Sequence, residues 1–192
     1  MAMLVADDEP QVELFETFHK QTLRNRCVVM TANGLQTLIV PVVRSNGNHT
    51  MTKDMGISYA EPWQQIHSRC LISAYRKSAY FDHYYPQMEF IFGKRFDTLV
   101  EMNTTILNVL LKMLNRPKQI TFSTDYEPEA KKDLRTILSD KHGTAGCNLP
   151  HYYQVFSDKH GFIPNLSILD LLFNEGPETM SYLRKALDYL SF

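Results

Sequence analysis

Four groups of residues have side chains and spacings that could support chemistry, and the first centres on His67. His67 follows Trp63 by four residues and precedes Cys70 by three, which places its imidazole on the apolar face of a predicted helix. A half-buried imidazole could act there as a general acid or base, with a pKa changed by burial. The alternative is a core histidine that hydrogen-bonds to backbone. Since no second histidine stands at HxH or HxxxH spacing from His67, the pattern does not favour a metal site.

The second group is a cationic segment in which Lys20, Arg24 and Arg26 surround Asn25. If this segment is extended, alternation places Arg24 and Arg26 on one side, where they could bind a phosphate or a carboxylate. The alternative is a solvated strand edge that is protected by its charges. Both interpretations stay open.

The third group, Ser167 and Asp170, has the spacing of a helix capping box, with Asp in place of the usual Glu or Gln. Capping alone accounts for both residues. However, Asp170 lies in an apolar run, where a carboxylate is costly unless it is paired. A buried partner such as His67 or an arginine would make this position a site, so capping and site are both retained.

The fourth group is an aromatic cluster that could line a sugar or nucleobase pocket or could pack in the core. Its members are Tyr75, Tyr80, Phe81, Asp82, His83, Tyr84 and Tyr85. Asn103, alone among apolar neighbours, is predicted to bond to a backbone or side-chain partner. The sequence contains no Gly-rich phosphate loop, GxSxG elbow or Cys–His nucleophile signature, which argues against P-loop enzymes, dinucleotide dehydrogenases and serine hydrolases.

Strands and helices must position these residues. The runs 27–31 and 35–42 flank Asn33-Gly34, a strong hairpin signal. We predict further strands near residues 56–59, 120–123 and 152–156. Helices are predicted over residues 61–74, 88–92, 95–114, 128–143, 167–176 and 183–190, with the aromatic stretch 80–86 interrupting the first two. The predicted fold is α/β (or α+β), one domain with a mixed sheet, a β-hairpin near the N-terminus and about five helices.

Composition restricts the class of protein. The 192 residues are 44% hydrophobic and 21% charged, which are globular values, and the net charge is −1 with Lys and Arg spread along the chain. We therefore expect no nucleic-acid partner. Three separated cysteines suit a reducing compartment, and no apolar run is long enough for export or a membrane span. These features predict a cytoplasmic protein without a membrane span.

Several strings, in this order, resemble the WbqC-like protein family. They are residues 20–27, Asn33-Gly34 leading to residues 39–42, the block from Trp63 to His67, residues 74–81, and residues 161–177. Together they span nearly the whole chain, and the Lys-Gln-Thr before Asn25-Arg26 is similar to members from Bacteroides-like bacteria. Family members usually begin with a strand and a His-Gln-Pro-x-Tyr-x-Pro type segment. The expectation is one WbqC-like domain over residues 1–192 that lacks this N-terminal strand and motif.

The resemblance implies a role in bacterial surface polysaccharide synthesis, of O-antigen or capsule. Our leading hypothesis is a transferase-type enzyme that modifies a sugar or nucleotide sugar, with no cofactor and no metal, and a homo-oligomer stays open. The alternative is a non-catalytic binding or scaffold protein of the same pathway. In the leading hypothesis folding brings His67, as general acid or base, next to Asp170, which orients it. Substrate contacts are assigned to Lys20, Arg24, Asn25, Arg26, Trp63, Tyr75, Tyr80 and Asn174.

Overall fold

The computed structural model describes residues 1–6, 9–129, 133–135 and 149–189. Helices and short strands are interspersed along this part of the chain. The helices are α1 (Ala2–Ala6), α2 (Trp63–Tyr75), α3 (Phe81–Phe92), α4 (Leu99–Met113), α5 (Ser157–His160), α6 (Ile168–Glu175) and α7 (Thr179–Leu187). The strands are β1 (Gln11–Val12), β2 (Arg26–Thr31), β3 (Gly34–Ile39), β4 (Val42–Arg44), β5 (Met55–Ile57) and β6 (Thr121–Phe122).

The described strands form separate pairs instead of the predicted single mixed sheet. β1 pairs with β6 in parallel, whereas β2 with β3 and β4 with β5 are antiparallel. A two-stranded sheet is only marginally stable alone, so helices must cover it. Helix α2 packs on β2, and α4 packs on β5. Helices packed on parallel and antiparallel strands confirm the predicted α/β class.

The predicted hairpin is confirmed, with a different turn from the one the Asn-Gly signal suggests. Arg26 lies opposite Ile39, and the register continues to Thr31 opposite Gly34. Gly34 has the positive φ, of 104°, and Asn33 does not share it. The second strand is shorter than predicted, because Pro41 has no N–H to donate and the chain enters β4 at Val42.

Helix α2 matches the predicted helix. The aromatic stretch 80–86 was expected to interrupt or bend the helical structure; the break lies at residues 76–80, and residues 81–86 are inside the next helix. Helix α3 begins at Phe81 and runs through Pro86, which lacks the N–H that would bond to the carbonyl of Asp82. Its buried face, which includes Tyr84 and Tyr85, packs into the core. Burial of these large rings offsets the lost hydrogen bond.

Helix α4 begins after Thr98, whose side chain accepts a hydrogen bond from the Glu101 amide at 3.1 Å. The predicted start at residue 95 is therefore too early, since a capping residue defines the true helix end. Asn103 satisfies its amide as predicted, because its Nδ2 donates to the Arg24 carbonyl at 2.9 Å. This bond joins α4 to the segment before the hairpin.

Three predictions in the second half of the chain differ from the structure. The strand predicted over residues 152–156 is absent, because the Gln154 side chain bonds to the backbone of Ile163 at 2.8 and 2.9 Å and holds a loop. Strand β6 forms near its predicted place, but both of its residues are exposed rather than buried. Of the helix predicted over residues 128–143, the described residues are not helical, and the remainder lies outside the described residues.

Helix α6 forms where the sequence predicts it, whereas α7 (Thr179–Leu187) begins four residues earlier than the predicted helix 183–190. Both helices complete the core. Ser167 caps α6 by accepting the Leu169 amide, and Gly176 ends the helix. α6 is buried on almost every side, with Leu172 and Phe173 fully enclosed. α6 packs against α3, α7 and β2, so side chains from α6 can reach the hairpin and the second helix.

Candidate functional site

The Asp170 carboxylate lies in the core and has no exposed surface. Tyr75 donates its hydroxyl to Oδ2 at 2.8 Å, and Tyr152 donates to Oδ1 at 2.7 Å. Burial raises the pKa of the Asp170 carboxyl above its usual value, while hydrogen bonds from Tyr152 and Tyr75 oppose that shift. Burial also raises the pKa of both tyrosines, so their hydroxyls remain donors.

Each tyrosine hydroxyl also accepts a hydrogen bond. The backbone N–H of Met30 on β2 donates to Tyr75 at 3.1 Å, and the Gln154 Nε2 donates to Tyr152 at 3.0 Å. Asn174, one turn after Asp170, donates its Nδ2 to the Asp170 carbonyl at 2.8 Å. We call Tyr75, Tyr152, Gln154, Asp170 and Asn174 the tyrosine–aspartate hub. The hub fastens α2, β2, α6 and the loop before α6 to one another.

His67 lies elsewhere on α2 and is not a partner of Asp170. Its ring packs against Trp63 at a centroid distance of 5.2 Å and against Phe92 at 6.3 Å. Burial lowers the pKa of His67, and a hydrogen bond with the Ile39 carbonyl opposes this shift. Eight residues separate His67 from Tyr75 on the helix, a rise of about 12 Å. The expected His67–Asp170 contact does not form, and each group has its own partners.

The cationic segment before the hairpin is engaged in structural contacts. Arg24 lies in a turn before β2, so strand alternation with Arg26 does not apply to it. Its guanidinium donates to both oxygens of Glu16, at 2.7 and 2.9 Å, with both side chains about nine-tenths buried. Asn25 donates to the Val40 carbonyl at 2.9 Å. Lys20 is exposed in a turn, and Arg26 is half-buried at the start of β2.

The remaining predicted contact residues are divided between core and surface. Trp63 is buried and donates its Nε1 to the Ser58 carbonyl at 3.0 Å. Tyr80 keeps 36% of its surface exposed and lies against Gly176, where a Cβ would meet the tyrosine ring at 2.5 Å. Of the predicted site residues, the fold therefore brings Tyr75, Asp170 and Asn174 together in the hub, and it places Tyr80 beside the turn that follows them.

An open cleft of about 760 Å³ begins at that turn and is bounded by α3, α4 and α7. Its lining residues are His83, Tyr84, Gln87, Val109, Lys112, Met113, Leu114, Asn115, Arg116, Gly176, Pro177, Met180 and Arg184. We call this space the α3–α4–α7 cleft. Lys112, Arg116 and Arg184 give the lining three positive charges, and none of these described lining residues is acidic.

These three cations are also free of ion pairs within the part of the chain that the structure describes. Lys112 lies in the last turn of α4, where the helix dipole favours positive charge, and Arg116 follows the end of the helix by three residues. The favourable interaction with the helix dipole offsets part of the cost of placing a cation there without a carboxylate partner. The cleft combines a volume suited to a small molecule with positive charge, amide groups and an apolar wall.

The sequence profile of the WbqC-like protein family matches residues 14–145 and 145–182, most of the chain. The chain belongs to the WbqC-like protein family. A protein of Mycobacterium tuberculosis (strain ATCC 25618 / H37Rv), described as Uncharacterized protein Rv1507c, is 28% identical to it over 194 residues. That alignment covers 87% of this chain and 84% of the relative. No solved structure has a significant match to the chain.

A membrane-spanning helix and a metal-ligand cluster are both absent from the described ranges 1–6, 9–129, 133–135 and 149–189. No helix there combines the length and the apolar character that crossing a bilayer requires. No group of three or more His, Cys, Asp or Glu side chains in those ranges is arranged to hold a metal ion.

Sequence reasoning missed the two hub residues that precede α6 and the whole cationic lining of the cleft. Tyr152 and Gln154 were assigned to a strand, so their side chains were not considered as partners of Asp170. Lys112 and Arg116 are close in sequence at and just after the end of α4, but Arg184 is 68 positions beyond Arg116 in the chain. Only the tertiary fold places these charges in one cleft.

Proposed function

We propose that this protein is a transferase-type enzyme that modifies a sugar or an activated sugar for bacterial surface polysaccharide. Membership of the WbqC-like protein family supports the pathway only through the resemblance described above. The observation that carries the proposal is the α3–α4–α7 cleft, whose volume of about 760 Å³ lies in the range of small-molecule sites. In this proposal the cleft, and not the space around His67, receives the sugar.

Polar groups in the cleft lining suit a sugar. Gln87 and Asn115 carry amides that can donate to and accept from hydroxyl groups. Tyr84 adds a buried ring with a hydroxyl, and aromatic faces pack well against sugar rings. Burial raises the pKa of Tyr84, so this hydroxyl stays protonated at neutral pH and can donate.

The transfer step requires a proton acceptor. When a sugar hydroxyl or amine forms a bond to the transferred group, it must lose a proton, while the donor's leaving atom keeps the electron pair of the broken bond. His83 is an exposed imidazole in the cleft lining, and its ring packs edge-on against Tyr84 at 4.7 Å. We assign the proton transfer to His83, in place of His67, which lies in the core.

Asp170 and Asn174 act in this proposal as positioning residues. Gly176 stands two positions after Asn174 in the chain, and Gly176 and Pro177 form part of the cleft wall. The hub holds the C-terminal half of α6, so it fixes the point from which this wall and α7 extend. Loss of the hub is expected to loosen the cleft without removing a group that touches substrate.

A direct test incubates the protein with nucleotide sugars and with acyl or aminoacyl donors, and follows product by mass spectrometry. A product that needs both reactants, and that decreases about 100-fold or more in His83→Gln, supports the proposal. His49→Gln serves as the control, since His49 is an exposed histidine outside the cleft. Equal turnover by His83→Gln and the unaltered protein would contradict the assignment of His83.

A second candidate, from a different class, is a non-catalytic binding protein of the same pathway. It is favoured by the separation of His67 from Asp170 and by the complete burial of the Asp170 carboxylate. These two groups cannot then form an acid–base pair at an open surface. Saturable sugar binding in the cleft with no product from any donor would support this candidate over the enzyme.

A further inference from the structure

We infer that the α3–α4–α7 cleft binds the diphosphate of a phosphate-activated sugar through Lys112, Arg116 and Arg184. This inference rests on the proposed function for the location of the sugar site, and it narrows the substrate from sugars in general to those that carry a diphosphate. The observation behind it is the group of three cations without ion pairs in one cleft.

The number of charges decides between classes of anion. Lys112, Arg116 and Arg184 give the described lining residues a formal charge of +3, with no acidic side chain among them. A carboxylate, with one negative charge, would be matched by a single arginine. A diphosphate diester has two negative charges and several acceptor oxygens, which can bind two guanidinium groups and an ammonium group together.

The geometry of the walls indicates which part of the ligand lies where. Lys112 comes from the last turn of α4, Arg116 from the segment just after it, and Arg184 from α7, so the cations reach the cleft from separate elements. Tyr84 and Met180 provide an apolar wall in the same cleft. We place the diphosphate at the cations and an uncharged ring, either base or sugar, at the Tyr84 wall.

Exposure of the cations explains why such a site is stable without its ligand. Arg116 and Arg184 are exposed, so water solvates their charges and the protein needs no internal carboxylate. An arriving diphosphate replaces part of that water and gains charge-assisted hydrogen bonds. Binding should therefore weaken as salt concentration rises, because salt screens exposed charges.

The test measures the affinity of the full chain for three probes by isothermal titration: uridine diphosphate glucose, inorganic pyrophosphate and free glucose. The inference predicts saturable binding of the first two, with weaker binding at high salt, and no measurable binding of glucose. Arg184→Glu should weaken both diphosphate probes by about 10-fold or more, since each such hydrogen-bonded charge accounts for roughly that factor. Lys185→Glu, with the same charge change on the adjacent non-lining residue of α7, should change affinity less than about twofold.

Two results would overturn the inference. Equal losses in Arg184→Glu and Lys185→Glu would mean that overall charge, and not the cleft, attracts the anion. Binding of glucose without binding of pyrophosphate would also overturn it, yet would leave the proposed sugar site intact. The unfolding free energy of each variant, from urea denaturation, checks that a loss of affinity is not a loss of fold.

Discussion

The tyrosine–aspartate hub and the α3–α4–α7 cleft handle charge in opposite ways. In the hub, Asp170 is fully buried and each carboxylate oxygen receives a tyrosine hydroxyl. In the cleft, Lys112, Arg116 and Arg184 lie together without ion pairs among the described residues. A buried carboxylate with both oxygens hydrogen-bonded rigidifies a core, whereas unpaired cations at an open surface remain available to a ligand.

This difference separates stability from binding. Loss of a hub residue leaves buried donors without an acceptor, so the unfolding free energy should fall by an amount set by desolvation. Loss of a cleft cation leaves nothing buried and unpaired, so stability should change little while binding decreases. Single substitutions in the hub, at the turn, at His67 and in the cleft test this separation, and the hub substitution is expected to have the largest effect on stability.

Asp170→Ala should lower the unfolding free energy by about 3 kcal/mol or more, because the hydroxyls of Tyr75 and Tyr152 lose their acceptor in the core. Urea denaturation followed by circular dichroism measures the change. Asp170→Asn should fall between Asp170→Ala and the unaltered protein, since it keeps one acceptor oxygen. Asp188→Ala, at an exposed carboxylate, is the control. A loss below about 1 kcal/mol in Asp170→Ala would show that the hub is not a stabilising network.

Gly176→Ala should cost about 1–3 kcal/mol of unfolding free energy, because Gly176 has φ 51° and an added Cβ would lie 2.5 Å from the Tyr80 ring. Gly93→Ala is the matched control: Gly93 also ends a helix, has φ −77°, and offers its Cβ ordinary contacts at 3.5 Å or more. Urea denaturation of both variants compares them. Equal losses of unfolding free energy in Gly176→Ala and Gly93→Ala would show that neither the positive φ of Gly176 nor its contact with Tyr80 constrains the turn between hub and cleft.

The unfolding free energy should fall as pH decreases below 6.5, in part through His67. Burial lowers the pKa of His67 below the ordinary histidine value of about 6.5. Between those two values the unfolded chain binds more protons than the folded protein, so acid favours unfolding. His67→Gln should flatten this part of the pH profile, whereas His83→Gln, at an exposed imidazole, should leave it unchanged. Identical profiles for His67→Gln and the unaltered protein would contradict a buried, neutral His67.

Arg184→Gln should have the smallest effect, a change of the unfolding free energy within about 0.5 kcal/mol, because this exposed cation has no described ion-pair partner to lose. Urea denaturation at low salt is the measurement, since screening is then weakest. A loss above about 1 kcal/mol would mean that Arg184 belongs to the structural part of the molecule, and the contrast with the hub would fail.

Local signals in the sequence predicted the parts of the fold that depend on local structure. The Ser167 cap, the apolar face of α4 and the Asn33-Gly34 signal each act within a few residues, so their elements formed, although α4 begins four residues later than predicted and the hairpin turn differs. Pro86 is an exception, because burial of α3 against the core overrides the local cost of proline. Residues 152–156 are a second exception. The Gln154 side-chain amide bonds to the backbone of Ile163, and the segment forms a loop instead of the predicted strand.

The candidate site was less predictable because its groups meet only through tertiary packing. The sequence marked Asp170 as needing a buried partner, and this is correct, but the partners are tyrosines rather than His67 or an arginine. Tyrosine hydroxyls can donate to a carboxylate without carrying charge, which a search for opposite charges overlooks. Likewise, Lys112 and Arg184 appear scattered in the sequence and become neighbours in the cleft only when α7 packs beside the core.

The central claim is that the cleft binds ligand while the hub holds the fold. The most direct measurement is the affinity of Arg116→Gln for uridine diphosphate glucose by isothermal titration, with its unfolding free energy measured in the same buffer. We predict a loss of affinity of about 10-fold or more and a change in unfolding free energy within about 0.5 kcal/mol. Unchanged affinity in a stably folded Arg116→Gln would contradict the claim.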